Sequence, residues 1–127
     1  MHNFRKLDIW TDSVDLADNI YTITENFPRQ EVYGLAAQMQ RAAVSIPSNI
    51  AEGSGKCSDK DFGRFLGISL GSLFELETQV EIAYRRGYIQ TPVYYNLCTS
   101  IASLQKRVFS FRQSIESNPS NTNTNQS

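Results

Sequence analysis

The sequence predicts an all-α protein, an antiparallel up-down-up-down four-helix bundle, and three observations carry that reading. Four long segments repeat apolar residues at three- and four-residue steps. None shows the two-residue alternation of a strand, and the links between them are short and marked by Pro or Gly. Short links favour antiparallel neighbours, which fixes the topology.

The first helix is expected over about 7–27, with Ile9, Leu16, Ile20, Ile23 and Phe27 on one side. Trp10, Val14, Ala17, Tyr21 and Thr24 widen that face. Asp8 is its expected N-cap, and Pro28 ends it. Asp8, Asp12, Asp15 and Asp18 form an acidic, solvated side. The second helix spans about 31–52 and stops at Gly53-Ser54-Gly55. Leu35, Met39, Ala42, Ile46 and Ile50 form its apolar line, and Pro47, inside it, removes the hydrogen bond to the Ala43 carbonyl. The third runs over about 58–86, opening with Ser58 and Asp61 in capping-box-like spacing. Phe62, Leu66, Ser69, Leu73, Leu76, Val80 and Ala83 follow heptad steps. Gly63, Gly67 and Gly71 stand four apart, a spacing expected to bring the small-residue face of the second helix close. The fourth covers about 92–116, with Thr91 as N-cap and Pro92 at its first position. Tyr94, Leu97, Ile101, Leu104, Val108, Phe111 and Ile115 repeat the heptad pattern, so the helices should pack at shallow angles. The bundle is thus one domain, 1–117. The polar stretch 118–127 cannot bury enough apolar surface to offset its ordering entropy and is expected to be disordered.

Composition sets the outer bounds. With 127 residues, 40% hydrophobic and 20% charged, the chain fits a single soluble domain with a real core. No apolar run reaches the roughly 18 to 20 residues of a membrane span, and no signal-peptide apolar region follows Arg5-Lys6, so the expected location is cytoplasmic, with no membrane partner. Cys57 and Cys98 lack metal-type spacing and are expected to be idle thiols of a reducing compartment. A net charge of −1 gives no bulk attraction to nucleic acid, so any such contact must come from a local patch.

The second helix carries the most information. Arg41, Ser45, Ser48 and Glu52 recur at steps of four, three and four, on one face and beside Asn49. Arg41 presents a planar fork that a carboxylate such as Glu75 or Glu52 could receive. Three roles are open to this line. It forms a satisfied network inside the monomer, it crosses a subunit interface and fixes its geometry, or it contacts nucleic acid.

The run Arg41-Ala42-Ala43-Val44-Ser45-Ile46-Pro47-Ser48-Asn49-Ile50-Ala51-Glu52-Gly53 resembles the signature of the bacterial 23S rRNA intervening sequence proteins. Asp8-Ile9-Trp10, Phe27-Pro28, Glu31-Val32-Tyr33-Gly34-Leu35, Gly71-Ser72-Leu73-Phe74-Glu75-Leu76-Glu77 and Gly87-Tyr88-Ile89 extend the resemblance over about 4–115. It implies an up-down bundle assembled as a ring-like homopentamer, encoded within rRNA-gene insertions or elsewhere in bacterial genomes. It also implies kinship with the accessory variability determinant proteins of diversity-generating retroelements, whose basic members bind nucleic acid and a reverse transcriptase. This chain departs from them in being slightly acidic.

Enzymatic chemistry finds little support. Gly53-Ser54-Gly55-Lys56-Cys57-Ser58 lacks the first glycine of a phosphate-binding loop, a Ser or Thr after the lysine, and a preceding strand. The single histidine, His2, rules out a Glu-x-x-His di-iron site, leaves too few zinc ligands and gives Ser45 and Ser48 no base. Glu75, Glu77 and Glu81 are expected to be solvated or salt-bridged. No catalytic residue, cofactor or metal is therefore expected. The best nucleic-acid patch is Arg41, Lys56, Lys60 and Arg64, opposed by Asp59 and Asp61. The resulting expectation is a non-enzymatic homo-oligomer that binds RNA or DNA. The alternative is a scaffold that recruits another protein and has no nucleic-acid ligand.

Overall fold

The computed structural model describes residues 2–117. Four helices account for nearly all of it: α1 (Asp8–Thr24), α2 (Leu35–Ser54), α3 (Asp59–Arg85) and α4 (Thr91–Glu116). Single 3-10 turns at Phe4–Lys6 and Arg29–Glu31 precede α1 and α2, and there is no strand among the described residues. The expected tail at 118–127 lies outside them.

Contacts join α1 to α2, α2 to α3 and α3 to α4 extensively, and α1 to α4 more sparsely. Thr24 meets Gln40, Ser45 meets Ser72, Glu77 meets Gln105 and Asp12 meets Arg107, so each neighbouring pair runs antiparallel. The heptad lines of α3 and α4 form the middle of the core. Phe62, Leu66, Leu73, Leu76, Val80, Leu97, Ile101, Leu104 and Val108 are all essentially sealed from water, as are Ile20, Met39, Ile46 and Ile50. The widened face expected of α1 is narrower in fact. Val14 and Tyr21 are exposed, while Ser13 is buried and satisfied by donating to the Trp10 carbonyl.

Helix ends explain where the sequence reading shifts. Helix α1 stops at Thr24, three residues before the expected end. The Thr24 hydroxyl turns back onto the Ile20 carbonyl, and Phe27, just before Pro28, buries itself against Tyr88. Its N-cap is Leu7, without a side-chain bond, rather than Asp8. Helix α2 begins at Leu35 and not at residue 31, because Gly34 takes φ −108°, ψ −114°, far from helical. Glu31 serves from outside instead: one carboxylate oxygen accepts the Leu35 N–H at 3.2 Å, and the other accepts the Tyr88 hydroxyl at 3.0 Å. Helix α2 then continues unbroken through the buried Pro47 to Ser54, so Gly53 belongs to the helix rather than to the link. Ser58 caps α3 as expected, accepting the Asp61 N–H at 3.1 Å. At its other end Gly87, at φ +79°, lets the Tyr88 N–H reach the Ala83 carbonyl, a Schellman closure that a side chain would strain. Gln90, not Thr91, stands before α4, and the Thr91 hydroxyl instead meets that of Tyr84.

The α3 glycines do not face α2 as expected. A methyl group at Gly63 would strike the Glu116 carboxylate, and one at Gly67 would lie 2.9 Å from the Arg112 guanidinium. Both glycines therefore make room for the Arg112–Glu116 ion pair of α4. Gly71 is different: a methyl group there would meet nothing within 4 Å. Its cost in a helix interior, roughly 1 kcal/mol against alanine, has no compensating contact among the described residues.

Candidate assembly face and nucleic-acid corner

The polar line of α2 divides into two parts. Ser45 and Asn49 are half-buried in the seam with α3. There the Asn49 amide donates to the Ser45 carbonyl at 2.8 Å and to its hydroxyl at 3.0 Å, and the Ser72 hydroxyl donates to that of Ser45 at 2.8 Å. Deeper in the same seam Ser69 donates to the Ile46 carbonyl at 2.8 Å. These bonds fasten α2 to α3. Arg41, Ser48 and Glu52 instead face solvent, and none of their side chains has a partner within the described residues. Glu75, on α3, is likewise exposed and unpaired. The fork from Arg41 to Glu52 or Glu75 is therefore not closed inside the chain.

The basic candidates also separate. Lys56 and Arg64 gather around one ring: the Lys56 ammonium lies 5.0 Å and the Arg64 guanidinium 4.8 Å from the centroid of Phe65. Lys60 stands exposed one turn before Arg64, without a partner. Asp61 draws on Arg64 only loosely, at 3.8 Å, and Asp59 is turned to His2 at 3.1 Å. Arg41 is remote from this corner, about four helical turns and roughly 20 Å along α2. Sequence spacing showed that Lys60 and Arg64 share a face. It could not show that Phe65 lies between Lys56 and Arg64, because that contact spans a turn.

Elsewhere α3 and α4 carry a second polar cluster. Tyr94 stacks on Tyr84 at 3.9 Å and donates its hydroxyl to Glu81 at 2.5 Å, while Arg85 donates to the other Glu81 oxygen at 2.9 Å. The bond from Tyr94, then that from Arg85, holds the Glu81 carboxyl below its ordinary value. Donating a hydrogen bond to that carboxylate, with the neighbouring Cys98 and burial adding to the effect, raises the Tyr94 phenol well above its ordinary 10.0. The Tyr94 contribution to stability is complete below that ordinary value and is lost as pH rises through the higher folded one. The Glu81 contribution is present above 4.5 and is lost as pH falls through the lowered folded value. A Glu81→Gln variant should therefore show the Tyr94 phenol ionising closer to 10 in an alkaline absorbance titration. An unmoved Tyr94 transition would contradict the assigned cause.

Between α1 and α4 an open cleft of about 520 Å³ is lined by Asp12, Asp15, Asn19, Thr99, Ser100 and Ser103, and is bridged by the Arg107–Asp12 pair at 2.8 Å. Among the described residues no group of three or more His, Cys, Asp or Glu could hold a metal ion. No described helix is long and apolar enough to cross a membrane.

A family model described as 23S rRNA-intervening sequence protein matches residues 5–110. The chain belongs to the 23S rRNA-intervening sequence protein family. The matched span of this family member contains α1, α2 and α3 whole, most of α4, the outward line of α2 and the Lys56–Arg64 corner. Its fold is similar to that of a Bacteroides thetaiotaomicron protein of unknown function from the S23 ribosomal protein family. The TM-score is 0.77 at 24% identity, over 83% of this chain and 95% of that one. No curated protein matches.

Proposed function

We propose that the protein is a non-enzymatic, cytoplasmic homo-oligomer, a ring-like homopentamer, that binds RNA or DNA through the corner formed by Lys56, Lys60 and Arg64. The carrying observation is that corner, where two cations share the Phe65 ring and a third stands free beside them. Three cations within two helical turns can meet successive phosphates, and five copies would multiply a patch that is modest in one chain. Kinship with the accessory variability determinant proteins belongs to the same reading, since their nucleic-acid binding would find its counterpart here. The absence of catalysis is supported by the disposition of the titratable groups. His2 is held by Asp59 at the N-terminus, and the Glu81 carboxylate is engaged by Arg85 and Tyr94.

Titrating a labelled single-stranded RNA at several salt concentrations tests the proposal. Each corner should contribute a slope of about −2 in log affinity against log salt, three contacts at roughly −0.7 each. Changing Lys56, Lys60 and Arg64 together to alanine should remove that slope. A specific observation favours a second reading, a scaffold for another protein: the net charge is −1, and Asp59 and Asp61 stand in the same turn. Undetectable binding at low salt would leave that scaffold.

A further inference from the structure

An open groove of about 390 Å³ lies between α3 and α4, with Glu77, Glu81, Ile82, Arg85, Tyr94 and Cys98 among its walls. Three of its features are left unused by the fold. Its apolar surface is bare: Ile82 leaves 46% of its area in water, and Tyr94, steadied on one face by Tyr84 at 3.9 Å, supplies a ring. Glu77 accepts the Gln105 amide at 2.8 Å on Oε1, and its Oε2 has no partner among the described residues. Arg85 is bonded to Glu81 through Nε alone, at 2.9 Å, so both terminal nitrogens stay open on a side chain that is 77% exposed.

An apolar slot, an anionic acceptor and an open guanidinium fork answer the parts of one chemical class: a flat ring, an amine on its edge and an attached phosphate. We propose that this groove takes an unpaired, amine-bearing base of a single-stranded nucleic acid, cytosine or adenine in preference to uracil. The ring lies against Ile82 and Tyr94, its exocyclic amine donates to Glu77, and the adjoining phosphate meets Arg85. Glu81 does not repel that phosphate strongly, because Arg85 and Tyr94 already engage it. A duplex is excluded, since pairing consumes the amine and stacking hides the ring.

This inference rests on the nucleic-acid reading above and goes beyond it. The Lys56–Arg64 corner lies towards the other end of α3, with Arg64 roughly 30 Å along the helix from Arg85. That corner meets phosphates whatever the base, whereas the groove makes the protein choose between bases. Poly-cytidylate, kept single-stranded at mildly alkaline pH, and poly-uridylate test the choice on the full chain. The first should bind about tenfold more tightly. Glu77→Ala should erase that preference, and Arg85→Ala should weaken both polymers equally and make the salt slope shallower by about 0.7. Both positions are exposed, so circular dichroism should stay helical. In a Cys57→Ser background, alkylation of Cys98 reads the groove itself, and poly-cytidylate should slow it more than poly-uridylate does. Equal wild-type affinities, a preference that survives Glu77→Ala, or a Cys98 that reacts equally fast with and without poly-cytidylate would overturn the groove and leave the Lys56 corner standing. Cytidine monophosphate bound as tightly as the polymer would overturn a strand as the source of the base. No binding of either polymer at low salt would overturn the nucleic-acid reading itself.

Discussion

Replacing Phe62 by alanine should destabilise the protein by about 3–5 kcal/mol, the range for a fully buried phenylalanine. That is a large part of the roughly 5–15 kcal/mol that holds a domain of this size together. Phe62 is 1% exposed and sits where four segments meet. Gly53 of α2 presses on its ring, Phe111 of α4 meets it edge-on at 5.6 Å, and His2 lies 4.9 Å away, tying the N-terminus to it. Truncation leaves a cavity that Gly53 and Phe111 cannot fill without dragging a helix, so little relaxation should soften the cost. Urea unfolding followed by circular dichroism measures it. A loss below about 1 kcal/mol would mean that this end of the bundle is loosely packed.

Gly53→Val should cost about 3 kcal/mol for the opposite reason, overpacking. The first added carbon alone would lie 2.7 Å from Cβ of Phe65 and 2.8 Å from Cδ1 of Phe62. The Phe65 atom is one bond from its backbone and cannot swing aside, so α2 and α3 must separate. The gain in helix propensity over glycine is too small to compensate. Because part of the obstruction is the Phe62 ring, Gly53→Val should cost less in a Phe62→Ala background. A double-mutant cycle would show the coupling, and strictly additive losses would contradict the contact.

Much of this architecture is legible in the amino-acid order, and the reasons differ by element. The α3 line from Phe62 to Ala83 is buried at every expected position, because a heptad repeat admits only one inward face. Helix ends are less legible. The late start of α2 depends on Gly34 and on Glu31 reaching the Leu35 amide, and Glu31 is fixed in turn by Tyr88, 57 residues away. Periodicity within one segment has no access to such a partner. The α3 glycines make the same point. Their spacing marks a close approach, but only the assembled bundle shows that Gly63 and Gly67 receive the Arg112–Glu116 pair of α4. At the candidate site, the pattern of α2 placed these residues along one side of the helix and left their purpose open. Ser45 and Asn49 are bound within the chain, whereas Arg41, Ser48 and Glu52 point away from it, a division that depends on where Ser72 falls across the seam.

The sparse flank between α1 and α4 gives the molecule a definite character. Consecutive helices grip each other firmly, whereas the first and last meet across an open, polar-lined trough fastened by Arg107 and Asp12. The architecture is closer to a curled strip than to a sealed tube. Its stabilising contacts lie mostly between neighbours in the chain, an economy of loop closure that favours rapid folding by zipping from one hairpin to the next. The clasp that joins the two edges of the strip, like the contact of His2 with Phe111, must wait for nearly the whole chain to be in place.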